Sequence, residues 1–102
     1  STGSTYWISD EEIQIFEKNA TNGDKNSAFK LYQYHMFVSL DQDLEFKWLE
    51  IAAKNGHPIA QSNLADLFFT QGNKEKAIFW AKKAYRNGAK LPDELKILIN
   101  IN

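Results

Sequence analysis

The sequence predicts an all-α fold of about six helices, stacked as helix pairs in a solenoid. Three observations carry this reading. Apolar residues recur at helical spacing: Leu44, Trp48, Ile51 and Ala52 fall at offsets 0, 4, 7 and 8, and so do Ala60, Leu64, Leu67 and Phe68. Asn-Gly occurs at 22–23, 55–56 and 87–88, within stretches that align without gaps: FEKNATNGD (16–24), LEIAAKNGH (49–57) and AKKAYRNGA (81–89). Trp48 and Trp80 lie 32 residues apart, and Leu31, Tyr34 and His35 match Leu64, Leu67 and Phe68 at an offset of 33.

Asn-Gly between apolar runs is otherwise the signature of a tight β-hairpin. Here the flanks have helical, not alternating, periodicity, so each glycine is a left-handed helix C-cap. Gly23, Gly56 and Gly88 are therefore structural residues, and Pro58 suits the first turn of the helix that follows.

In order, the first helix is expected at 10–21, opened by Ser9 and Glu12 in capping-box spacing. The second covers 25–38, the third 42–54, the fourth 58–70 and the fifth 74–87, the last behind Asn73 as cap. A terminal helix starts near Pro92 and carries Leu91, Leu95 and Leu98. SLDQD (39–43) and TQGN (70–73) are the turns inside each pair. Residues 1–8 read as a linker and N-terminal cap, with Ile8 as a hydrophobic staple and Tyr6 and Trp7 covering the open end. Residues 9–102 read as one repeat domain, with copies at 25–56 and 58–88 and a capping helix at 92–101.

Composition bounds the function. The 102 residues include no cysteine, which excludes disulfides, thiolate metal sites and cysteine nucleophiles. No apolar run approaches the roughly 18 residues that a membrane helix needs. Net charge is −1, which argues against nucleic acid as a partner. The charge is nonetheless split: residues 1–51 carry four Lys and nine Asp/Glu, whereas residues 52–102 carry eight Lys/Arg and four Asp/Glu. The chain starts at Ser1 and its only methionine is Met36, so a processed or trimmed form is expected, with STGST either following a removed export or anchor segment or left over from cloning.

No constellation for catalysis is visible, and neither a metal nor a cofactor is expected. His35 lies on the inner stripe and reads as a satisfied core histidine, and His57 reads as a cap for the fourth helix. Asp41, Asp43, Asp93 and Glu94 sit at helix starts, where the helix dipole favours negative charge. Trp48, Trp80, Tyr34, Phe68 and Tyr85 are assigned to inner stripes, with Trp48 and Trp80 as structural anchors. Phe29, Phe37 and Phe69 fall off those stripes, and Lys74, Lys82, Lys83, Arg86 and Lys90 cluster around the fifth helix, where they could meet an acidic partner.

The pattern Ala60-x-x-Asn63-Leu64-Ala65-x-Leu67-Phe68, followed by Lys76-Ala77-x-x-Trp80-Ala81-x-Lys83-Ala84-Tyr85-x-x-Gly88, resembles a Sel-one-like repeat, a subclass of the tetratricopeptide-like repeats. The copy at 27–56 is looser, with Tyr32 where the family has a small residue and His35 where it has an aromatic. The resemblance implies a right-handed solenoid of antiparallel helix pairs whose first helices line a concave face. Asn26, Phe29, Lys30, Gln33 and Phe37 would face that groove from the first copy, and Ser62, Asn63, Asp66, Phe69 and Thr70 from the second. It further implies a protein-binding module without enzymatic activity. Small bacterial members include periplasmic immunity proteins that neutralise secreted toxins such as lipase or phospholipase effectors, and this is the function expected here. On that expectation the chain resides in the periplasm, free or anchored to the membrane through a removed N-terminal segment. The alternatives are a scaffold that bridges partners in its own cell and, more remotely, an enzyme that uses His35. The penicillin-related activity linked to some cysteine-rich relatives does not carry over to a chain without cysteine.

Overall fold

Ser9 opens the first helix, α1 (Asp10–Thr21), with a reciprocal capping box. Its hydroxyl accepts from the Glu12 N–H at 3.2 Å, while its own N–H donates to Glu12 Oε1 at 3.0 Å. The remaining helices are α2 (Lys25–Tyr34), α3 (Gln42–Lys54), α4 (Pro58–Thr70), α5 (Lys74–Arg86) and α6 (Asp93–Leu98). The structure, a computed structural model, describes residues 5–101, all helix and connection with no strand among them. The linker reading of residues 1–4, and the last residue of the capping segment, lie outside the described residues.

The helix starts follow local chemistry. Asp24, Asp41, His57 and Asn73 each present a side-chain acceptor to the first turn of the helix behind them. The ends follow it too. Gly56 has φ of 98°, and no neighbouring atom would crowd an added Cβ, so the requirement for glycine there is the backbone conformation itself. Gly23 and Gly88 close α1 and α5 in the same left-handed geometry.

Two compact units emerge, one ending at Asn55 and the other beginning at Gly56, so the division falls inside the second Asn-Gly. In the first unit α1 packs on α2 and α2 on α3. Its buried apolar residues include Ile8, Ala28, Leu31, Tyr32, Trp48, Leu49 and Ala52. In the second unit α4 packs on α5 and α5 on α6. There Ala65, Ala81 and Ala84 form one cluster with Leu91, Leu95 and Ile99, flanked by the half-buried Trp80 and Ile78.

Four expectations need correction. The second helix does not run as one α-helix to residue 38: it changes at His35 into a π-helical turn (His35–Ser39), stopped by Leu40 in left-handed conformation at φ 59°. A π turn accommodates one extra residue and re-aims the side chains beyond it. The terminal helix is shorter than 92–101, because Pro92 is its N-cap and it ends at Leu98. Trp7 does not cover the end of the unit but is exposed; Ile8 takes the buried position instead, and Tyr6 stacks on Phe37 with ring centroids 4.4 Å apart. Tyr85 is not an inner residue: Ala84 points inward at full burial, and the next side chain, about 100° further around the helix, is exposed.

A candidate protein-binding surface

The sequence-selected contact residues divide between the two units, and each set is described within its own unit. In the first, Asn26 is exposed at the start of α2, its N–H donating to Asp24 Oδ1 at 3.1 Å. Phe29 is half-buried and tilts against Tyr32 at 5.3 Å between centroids. Lys30 and Gln33 are half-buried. Phe37 rides on the π turn and is 52% exposed even while stacked on Tyr6.

In the second unit Phe69, 37% exposed, and Thr70 occupy the open end of α4, and the Thr70 hydroxyl donates to the Asp66 carbonyl at 3.0 Å. Asn63 and Asp66 are half-buried. Ser62 departs from expectation, being only 7% exposed. It lies against a cleft of about 980 Å³ lined by His57, Pro58, Ile59, Ser62 and Asn63 on one side and residues 88–92 on the other. Of the proposed contact residues, only Ser62 and Asn63 reach this cleft. Sequence reasoning missed it because its walls, a helix start and a glycine-capped turn, carry the signals of punctuation.

The basic face of α5 is partly organised by aromatic rings. The Lys83 ammonium sits 5.4 Å from the Phe79 centroid and 5.9 Å from that of Trp80, while Lys76 lies over Phe68 at 5.3 Å. Phe79 and Tyr85 are exposed on the same helix.

Several titratable groups are tied into local structure. Glu12 is held below the usual carboxylate range, chiefly by the Ser9 N–H and then by the Ser9 hydroxyl. Asp24 is lowered too, first by the Ser27 hydroxyl, which donates to Oδ2 at 2.6 Å. That bond also assigns a role to Ser27-x-x-Lys30, a spacing that sequence reasoning missed when it set the penicillin-related activity aside. This spacing carries a nucleophile in some serine enzymes, but here the serine is buried and ties the start of α2. His57 caps α4, its Nδ1 accepting from the Ala60 N–H at 3.2 Å. His35 is buried as anticipated but only half satisfied: Nδ1 pairs with Ser39 Oγ at 2.7 Å, and Nε2 has no hydrogen-bond partner. Burial lowers its pKa against the opposing pull of Asp41 and Glu17. Among the described residues no group of three His, Asp or Glu could hold a metal ion, and no helix is long and apolar enough to cross a membrane.

The chain is similar to the uncharacterized protein YibG of Escherichia coli, with 33% identity over 95 residues. The match covers 86% of this chain, which spans 62% of that relative's length. No protein-family model matches the chain. No solved structure matches it either.

Proposed function

We propose that the protein is a binding module that recognises another protein, and that it acts as an immunity protein neutralising a secreted toxin of the lipase or phospholipase kind. The observation that supports this most directly is the pair Phe37 and Phe69. Phe37 stands on the π turn that follows α2 and Phe69 near the end of α4; they are 52% and 37% exposed, and the helical turns before them carry the polar residues Gln33 and Asp66. Exposed aromatics in a polar setting have the composition of protein-contact hot spots. The likeness of 60–88 to a Sel-one-like repeat supports the same class, as does the absorption of Ser27, His35, His57, Glu12 and Asp24 into caps and packing. Within this reading the helices pair as α2 with α3 and α4 with α5, antiparallel and in solenoid order, and the protein acts in the periplasm.

The test is affinity isolation with the chain as bait, followed by an inhibition assay on a stoichiometric hydrolase recovered with it. Phe37→Ala with Phe69→Ala should then weaken the complex by at least about 2 kcal/mol while leaving thermal stability nearly unchanged. A tight complex indifferent to both substitutions would place the contact elsewhere. A partner that keeps full activity in the complex would sink the immunity reading.

A further inference from the structure

His35 sits in a setting that suits only a neutral imidazole. The residue is 5% exposed, with Nδ1 on Ser39 Oγ and Nε2 buried without a partner. Ser39 Oγ also accepts from the Asp41 N–H at 3.3 Å, and Asp41 Oδ1 accepts from the Leu44 N–H at 3.1 Å. A run of hydrogen bonds therefore links the buried ring, across the left-handed Leu40, to the cap of α3. Either neutral tautomer can pair with Ser39, which serves as donor or acceptor. The imidazolium cannot be accommodated: its second N–H would carry charge into the core with no acceptor, which is among the costliest arrangements in a folded protein.

The charged groups acting on the ring are Glu17 of α1 and Asp41 ahead of α3, both carboxylates. Burial prevails over them in the closed state. Once the ring leaves the core its desolvation cost vanishes, so protonation favours an open state.

We propose that His35–Leu40 is an acid-opened latch: protonation of His35 moves the ring out of the core of the first unit, releases Ser39 and frees the π-helical turn. Phe37 belongs to this turn, so its stack on Tyr6 opens with it. The inference stands independently of the binding reading, since it concerns the isolated chain.

The protein's own repeat supplies the control. Phe68 occupies the place of His35 in the second copy and is buried there, so His35→Phe keeps an aromatic ring and removes the titration. His57 is the other histidine, and its cap also needs an unprotonated Nδ1; His57→Asn keeps a capping acceptor that does not titrate. Hydrogen exchange of residues 35–41, corrected for intrinsic rates, is followed from about pH 7.5 to pH 5. Opening should rise by up to about tenfold per pH unit below the free-imidazole range, as one proton is taken up. It should do so in the native chain and in His57→Asn, but not in His35→Phe. An equal rise in His35→Phe, or no rise in the native chain, overturns the proposal. Should His35→Phe lose its helical circular dichroism, the His35 ring resonance decides: titration below free imidazole, together with loss of protection at 35–41, is expected, and titration at or above it overturns the latch.

Discussion

Leu31 and Leu64 hold the same place in the repeat, and both are fully buried. The residues around them diverge. Where the first unit has Tyr32, His35 and Leu49, the second has Ala65, Phe68 and Ala81. The first unit fills its interior with large side chains of α2 and α3, Trp48 among them at 2% exposure, together with Ile8 and Ala20, and buries two ring nitrogens, His35 Nε2 and Trp48 Nε1, without hydrogen-bond partners. The second presents small residues on α4 and α5, and the space above them is taken by Leu91, Leu95 and Ile99 from the segment around α6. Its buried amide, Gln61, receives a hydrogen bond from Asn87 Nδ2 at 2.9 Å. A repeat thus transmits helices and caps faithfully while leaving the core free to vary, because caps depend on local backbone geometry and cores on total filled volume.

The largest expected effect tests that contrast at the tryptophans. Trp48→Ala should cost about 3–5 kcal/mol through lost burial and a cavity, whereas Trp80→Ala, at a half-buried site, should cost roughly half as much. Urea unfolding of the two variants decides it, and equal costs would mean that the second core relies on Trp80 as heavily as the first does on Trp48. Because Trp48 Nε1 has no partner, Trp48→Phe should be far milder than Trp48→Ala.

Next in size is Leu95→Ala. If α6 is what fills the second core, this substitution should cost about 2–5 kcal/mol, measured the same way. A loss under about 1 kcal/mol would show that the alanine face needs no cover.

The repeated asparagines sharpen the comparison further. Asn87 bonds a buried side chain, and Asn87→Ala should cost about 1–3 kcal/mol. Its counterpart Asn55 reaches only the Ala20 carbonyl, at 3.4 Å, so Asn55→Ala should cost a few tenths of that. The smallest effect belongs to a cap confined to one helix: Ser9→Ala should lower stability by about 1 kcal/mol, visible as a modest fall in melting temperature.

The six helices were legible because their signals are local. The Ser9–Glu12 box, Asp41 and Asn73 at the starts and the glycines at the ends act within one turn, and the structure places each where the spacing puts it. The π turn at His35 was not legible, since nothing in HMFVS forbids a continuing α-helix; its stop depends on Leu40 and on the Ser39 hydroxyl bridging His35 and Asp41. The candidate surface was partly legible. Phe37 and Phe69 fall off the apolar stripes and are exposed, whereas Ser62, which the resemblance assigns to the groove, is buried. Helical phase gives the direction of a side chain, not what stands in front of it.

By itself the sequence determined where the helices start and most of the capping chemistry, because each is decided by residues within four positions of one another, and it displayed the internal repeat as a recurring pattern of such signals. Only the tertiary structure decided that Tyr85 and Trp7 stay in solvent, that α6 completes the alanine-rich core, and that a histidine lies buried with one nitrogen unanswered. Those outcomes turn on which distant side chains occupy the same volume, and volume is shared among residues that the linear order keeps far apart.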